Sequence, residues 1–442
     1  MPNPIAHPSL RSALGYWLKL GFISFGGPAA QISLMHEELV ERRRWISEGR
    51  FLHALNYCMM LPGPEAQQLA TYIGWLLHGV KGGILAGVLF ILPSLFVLLG
   101  LTWVYLVFGD VPLVAGIFYG IKPAVTAIVL FAAYRIGRRT LKNALLWAVA
   151  AGAFAAIFVF NVAFPYIIAS AALVGYLAGR LRPTLFSAAN QHGAAAAGRS
   201  PALLDDHTPL PEHARFSAMR ALSFVAAGAA LWIAVMALLY SRYGWDGALT
   251  QMGWFFTKAA LLTFGGAYAV LPYVHQGAVE HYQWLSTTQM IDGLALGETT
   301  PGPLIMVVTF VGFVGGWTKQ LFGPDALVLA GLAGGLVATW FTFLPSFLFI
   351  LVGAPLIEAT RHALKFTAPL SAVTAAVVGV ILNLALFFAY HVFWPQGYAA
   401  GLDVFPVLVS MTAFIALTRF NVGVVWVIAA CAVLGILHSL TL

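Results

Sequence analysis

Apolar residues run along this chain in long blocks, parted by short polar stretches and by glycine and proline. The blocks fall at about 14–32, 51–78, 83–107, 113–134, 143–160 and 162–179, then 217–241, then 251–276, 288–317, 325–352, 367–391, 402–418 and 420–440. Most match the length that a helix needs to cross a bilayer core of about 30 Å. The short alternating segments that build a membrane barrel do not occur. The pattern predicts an all-α polytopic membrane protein with about 13 transmembrane segments.

The blocks come as six, one and six, and the two sets of six match. Phe25-Gly26-Gly27 returns as Phe264-Gly265-Gly266, Trp45-Ile46-Ser47 as Trp284-Leu285-Ser286, and Leu61-Pro62-Gly63-Pro64 as Thr300-Pro301-Gly302-Pro303, each displaced by 239 positions. In that register Lys19 falls on Lys258 and Glu41 on Glu280. After an insertion of about thirteen residues in the second copy, Leu92-Pro93-Ser94 meets Leu344-Pro345-Ser346, and Ala124-Val125-Thr126-Ala127 meets Ala372-Val373-Thr374-Ala375. The chain therefore divides into a first repeat (1–181), a linker (182–216), an unduplicated linking helix (217–250) and a second repeat (251–442). The linker carries Gly-Ala-Ala-Ala-Ala-Gly, Asp205, Asp206 and several prolines without apolar periodicity, and is expected to be flexible. If all six segments of a copy cross the bilayer, the single linking helix inverts the second copy, the plan common among secondary transporters.

Composition agrees with the pattern. Of 442 residues, 60% are hydrophobic and 9% charged, with a mean hydropathy of +0.86, against roughly 25% charged in soluble domains. The net charge of +7 resides in short loops, so it orients helices and does not point to nucleic acid. Arg135, Arg138, Arg139, Lys142, Arg180, Arg182, Arg361, Lys365 and Arg419 fall on one side, which the positive-inside rule makes cytoplasmic along with the N-terminus. Arg42, Arg43, Arg44 and Arg50 fall on the other side. Either Glu37, Glu38, Glu41 and Glu48 pair with them, or one of the first two segments is re-entrant. Lys19, Ser24 and Gly26-Gly27 interrupt the first apolar stretch, and no cleavage motif follows it, so that helix is expected to direct its own insertion. Cys58 and Cys431 sit in apolar segments and form no redox or metal motif. The histidines lack zinc-ligand spacing, and no phosphate-binding, dinucleotide or nucleophile-elbow motif occurs. No cofactor and no metal site is expected.

The candidate chemistry lies at the breaks. Proline removes an amide hydrogen and glycine adds freedom, so Pro62-Gly63-Pro64 and Pro301-Gly302-Pro303 interrupt their helices. In hydrocarbon such interruptions are tolerated only inside protein or along a wet cavity. The half-helix that restarts offers amides and a positive dipole end to an anion; the alternative is a simple kink. Ser24 and Thr263 put a hydroxyl beside each Phe-Gly-Gly, as an oxyanion contact or merely beside a close-packed turn. Gln67 follows the first break. Lys19, Lys258 and Lys122 are intramembrane cations, which either face a cavity or snorkel to the interface. Glu65 and Glu298 give each break one carboxylate, on opposite sides of it. Beside an anion, a carboxylate repels when ionised and tolerates when protonated, so these two are proton-coupling candidates, or else structural groups.

Phe25-Gly26-Gly27-Pro28, the Trp45-Ile46-Ser47 loop, Leu61-Pro62-Gly63-Pro64 and Gly120-Ile121-Lys122-Pro123-Ala124-Val125 together resemble the chromate ion transporter family in its long two-domain form. Thr263-Phe264-Gly265-Gly266 and Thr299-Thr300-Pro301-Gly302-Pro303 resemble its duplicated domain. The resemblance covers nearly the whole chain. It implies a bacterial inner-membrane protein that exports chromate by proton-coupled antiport and so confers resistance. The implied site is Phe25, Gly26, Gly27, Pro62, Gly63 and Pro64 with Phe264, Gly265, Gly266, Pro301, Gly302 and Pro303, joined by Lys122. Thr300 adds a hydroxyl at the second break. Position 370, where the second copy would repeat that lysine, is Leu370. The residues themselves argue only for a small tetrahedral oxyanion, so sulfate exchange stays open, as do a passive anion channel, a membrane-embedded reductase and a homodimeric assembly.

Overall fold

The computed structural model describes residues 7–182, 202–205, 208, 211–359 and 367–441. Most of the linker, including its Gly-Ala run and Asp206, lies outside the described residues, as do the loop cations Arg361 and Lys365. Among the described residues the chain is all helix apart from loops and one isolated bridge, Ile46 to Leu204.

The first two apolar blocks are each broken. Ser9 caps α1 (Leu10–Ile23), which stops at Ser24. Gly26, at φ +87°, turns the chain into α2 (Gly27–His36). A π-helical turn (Glu37–Arg42) and a loop lead to Ser47, which caps α3 (Glu48–Met60). Pro62-Gly63-Pro64 then separates α3 from α4 (Glu65–Phe108). At about 1.5 Å rise per residue, α1, α2 and α3 are each shorter than a bilayer core. They are half-helices.

The second copy repeats this plan after α8 (Ala218–Tyr243), the linking helix. Its elements are α9 (Ala248–Leu262), α10 (Ala267–His275), a π-turn (Gln276–His281), α11 (Thr287–Thr299) capped by Ser286, and the break at 300–303. Even the π-turn partners repeat, with His36 beside Glu41 at 3.4 Å and His275 beside Glu280 at 3.3 Å. Two of the four glutamates around the misplaced arginines pair with them, Glu37 with Arg42 at 2.6 Å and Glu38 with Arg43 at 2.7 Å, whereas Glu41 and Glu48 lie beside His36. The Arg42–Glu37 pair is exposed and contributes little energy, whereas Arg43–Glu38 is half-buried.

Past each break the chain forms a tight helical hairpin. In α4 the backbone leaves the helix at His78–Gly79, and the two arms fold together with Gly74 against Gly82 and Ala86, and Gly87 against Thr71 and Gln67. In the second copy α12 (Val307–Thr318) and α13 (Leu327–Ala359) do the same through Gly312 against Gly334 and Gly316 against Ala330. Lipid gives apolar faces no hydrophobic reason to associate, so close backbone approach through small residues supplies the attraction.

The remaining helices exchange partners between copies. The first copy ends with α5 (Pro112–Thr140), α6 (Ala144–Phe158) and α7 (Phe164–Leu181). The second ends with α14 (Thr367–Phe393), α15 (Val404–Arg419) and α16 (Val424–Thr441). Helix α5 packs on α15 and α16, and α14 packs on α6 and α7. At the centre α4 crosses α13, with Gly87 against Phe347 and Gly335 against Leu99. As the first number rises the second falls, so these equivalent helices run antiparallel, and the two copies are inverted relative to each other. Among the described residues six helices are long and apolar enough to cross a membrane, and four more are apolar but shorter. The molecule is a multi-pass membrane protein. Two described linker residues are fixed on the first copy: Leu204 is buried and accepts from the Ser47 amide at 3.0 Å, and Thr208 O accepts from Arg50 at 2.7 Å.

Candidate functional site

The broken helices meet crosswise. The amide of Gly63 donates to the carbonyl of Thr263 at 2.8 Å, and the amide of Gly302 donates to the carbonyl of Ser24 at 2.8 Å. Each Pro-Gly-Pro turn of one copy thus caps the helix that ends at the Phe-Gly-Gly turn of the other. Both glycines need their lack of a side chain, with Gly63 at φ +125° and Gly302 at φ +105°. A Cβ on Gly302 would stand 2.7 Å from Ser94 Cβ, and one on Gly63 would stand 3.0 Å from Ser346 Oγ. Ser94 and Ser346 are the matched serines of the two Leu-Pro-Ser steps. They flank the α4–α13 crossing, so the two junctions sit on either side of the molecule's centre. Gly63 and Pro64 are buried, as are Thr300, Pro301, Gly302 and Pro303; Pro62 is half-buried.

The Gly63 and Gly302 amides are therefore already engaged by protein carbonyls. What stays available for an anion is the first turn of each restarting helix, whose amides have no intrahelical acceptor. At α2 the approach is open: a Cβ on Gly27 would touch nothing within 4 Å. At α10 a carboxylate stands in front, since a Cβ on Gly266 would lie 3.9 Å from Glu65 Oε1. The first-copy carboxylate thus faces the second-copy turn. Arg139 acts on Glu65 at electrostatic range, and Arg135 acts likewise on Glu298. Both arginines are exposed on the last turns of α5.

Glu298 is buried and accepts a short hydrogen bond from the hydroxyl of Tyr268. Tyr268 follows Gly266 by two residues and Glu298 precedes Pro301 by three, so this bond joins one junction to the other. Gln67, just beyond the first break, is fully engaged: its Nε2 donates to Thr71 Oγ1 at 3.0 Å and its Oε1 accepts from Ser346 at 2.9 Å. Thr263 donates to Ala259 O at 2.7 Å, and Thr300 to Gly297 O at 3.1 Å. Gly265 rests against Thr374 of α14. Phe25 is 37% exposed, whereas Phe264 packs on the core.

The three lysines take other places. Lys122 forms an ion pair with buried Asp292 at 3.7 Å, and Asp292 also accepts from Tyr105 at 2.9 Å. Lys122 therefore has its charge compensated by protein. Lys19 is exposed, and Lys258 lies 5.7 Å over the ring of Trp254; neither is buried with the junctions.

Reading the sequence missed Asp292, Tyr105, Tyr268, Gln31 and Ser94, and took Arg135 and Arg139 for orienting loop charges alone. Asp292 carried a usable signal, a carboxylate inside an apolar block. So did Ser94, as part of a matched step. Tyr268 carried none, because tyrosine is ordinary in membrane helices.

Comparison with known proteins agrees with this duplicated architecture. The family model described as Chromate transporter matches residues 12–176 and again 250–436. A chromate transport protein of Pseudomonas aeruginosa is 33% identical over 444 residues, covering 98% of this chain and 93% of its own length. A chromate transport protein of Cupriavidus metallidurans is 30% identical, covering 86% of this chain and 83% of its own. An uncharacterized transporter of Bacillus subtilis is 31% identical over 137 residues, 31% of this chain but 69% of its own length, as expected of a single copy. No solved structure matches the chain. With the family model matched in both copies and full-length relatives at this identity, the chain belongs to the chromate transporter family.

Proposed function

We propose that this protein is a secondary transporter that exports a divalent tetrahedral oxyanion, chromate first, across the bacterial inner membrane in exchange for protons, and so confers chromate resistance. The oxyanion is held where the Phe-Gly-Gly turn of one copy meets the Pro-Gly-Pro turn of the other. Helix-start amides and hydroxyls bind it, and rocking of one inverted copy against the other alternates access. The observation that carries this reading is the reciprocal capping of Ser24 by Gly302 and of Thr263 by Gly63. It puts two pairs of half-helix ends inside the protein, and each pair is made of parts that belong to different copies. A rigid rotation between copies therefore works directly on the binding region.

Glu65 carries the coupling in this reading. Whether it bears a proton sets the charge in front of α10 and beside Arg139, so proton and oxyanion occupancy are linked. Glu298, tied to Tyr268, transmits the state of one junction to the other. The positive-inside rule puts the Arg135 and Arg139 end of α5, and the N-terminus, in the cytoplasm, where these cations gather the anion to be exported. Chromate and sulfate are isosteric, so competition by sulfate measures how far the site separates them.

Purified protein in liposomes, with radiolabelled chromate, tests the coupling. Glu65→Gln should still equilibrate chromate but no longer respond to an imposed pH gradient. A Glu65→Gln variant whose response matches wild type removes Glu65 from the mechanism.

A further inference from the structure

The two junctions are related by the duplication, yet their polar groups are used differently. At the Gly63 junction every hydroxyl named above is spent: Thr263 on Ala259 O, and Ser346 on Gln67 Oε1. The position that repeats Gln31 is Val270, and Glu65 stands before the α10 terminus. At the Gly302 junction Thr300 is spent on Gly297 O, but two serine hydroxyls are not. Ser24 Oγ and Ser94 Oγ are both fully buried, and neither has a hydrogen-bond partner. A buried polar group left without a partner is destabilising. Neither serine takes the ordinary escape, a bond to the carbonyl four residues back.

Two backbone acceptors at that same junction, Ser24 O and Gly302 O, are satisfied. Ser24 O receives both the Gly302 amide and Gln31 Nε2, the latter at 3.3 Å, and Gly302 O receives Gln31 Nε2 at 2.6 Å. Through Nε2 Gln31 holds both carbonyls back and is a positioning residue, while its own Oε1 has no partner. Where the mirror junction has Glu65, this one has Leu304. The junction therefore combines two free hydroxyl donors, satisfied backbone carbonyls at Ser24 and Gly302, no carboxylate at the Glu65 position, and the N-terminus of the ten-residue helix α2 with open space at Gly27.

We infer that the substrate seat is this junction alone, with the Ser24 and Ser94 hydroxyls donating to a tetrahedral oxyanion at the start of α2. The mirror junction holds the protein's own anion, Glu65, in the corresponding place. The duplicated scaffold thus gives one seat to the cargo and the other to the proton-bearing carboxylate, with Tyr268–Glu298 between them. This rests on the transport reading above and assigns its two halves different tasks.

The test is the KM for radiolabelled chromate in proteoliposomes. Ser24→Ala and Ser94→Ala should each raise KM about tenfold, while Ser346→Ala, the mirror of Ser94, should change it by less than about twofold. Ser24→Thr, which restores the residue type of position 263, should keep the wild-type KM. If Ser94→Ala does not survive purification, Ser94→Cys keeps the volume with a weaker donor and should raise KM in its place. Equal effects of Ser94→Ala and Ser346→Ala, or wild-type KM in both Ser24→Ala and Ser94→Ala, overturn the assignment while the transport reading stands. Wild-type protein that moves neither chromate nor sulfate overturns both.

Discussion

At the scale of single residues, the charge of Lys122 is held by a partner within the protein. Lys122 and Asp292 form a half-buried pair supported by Tyr105. Removing one partner of such a pair leaves the other unpaired, at about 3–5 kcal/mol. Lys122→Met should therefore lower the melting temperature of the detergent-purified protein by several degrees, and Lys122→Met with Asp292→Asn should recover most of the loss. A single variant as stable as wild type would show that the pair carries no stability. Backbone positions divide as sharply. Gly302→Ala meets both a positive φ and Ser94, whereas Gly27→Ala meets a positive φ of +76° in open space. The first should cost visibly more stability than the second in the same melting assay. The matched motifs made these glycines legible in the sequence, because only a backbone requirement makes a duplicated Gly-Gly or Pro-Gly-Pro useful. Lys122 was legible as an intramembrane charge but its partner was not, since Asp292 is 170 positions away and nothing local links the two.

At the scale of elements, the apolar blocks gave the right regions but merged what the backbone divides. Block 14–32 holds α1 and α2, and block 51–78 holds α3 and the first arm of α4. Hydropathy cannot see these divisions, because Phe-Gly-Gly and Pro-Gly-Pro are themselves apolar or neutral. The hairpins depend on glycine at contact. A Cβ on Gly312 would stand 2.3 Å from the Gly334 carbonyl oxygen, whereas one on Gly100 would touch nothing within 4 Å. Gly312→Ala should therefore reduce the yield of folded protein in size-exclusion profiles. Gly100→Ala should be neutral, or stabilise by about 0.5–1 kcal/mol through helix propensity. If both behave alike, close packing of the α12–α13 hairpin is not what holds it.

At the scale of the whole molecule, the duplication predicted inversion, and the antiparallel crossing of α4 and α13 realises it. What the repeat could not reveal is the exchange of partners. Capping of each copy by the other's break is a tertiary fact that no single copy encodes. Inversion has a direct consequence for equivalent loops: Asn161 between α6 and α7 and Asn421 between α15 and α16 should face opposite sides. Asn161→Cys and Asn421→Cys, each in a background lacking Cys58 and Cys431, should react with an impermeant maleimide from opposite faces of the membrane. Labelling from the same face contradicts the inverted plan.

The most direct measurement is chromate accumulation by proteoliposomes with a pH gradient as the only driving force. Vesicles with an acid interior should concentrate radiolabelled chromate above the external level, and a protonophore should collapse the gain. Chromate that never exceeds the outside concentration under either direction of gradient would contradict coupled transport through the crossed half-helices.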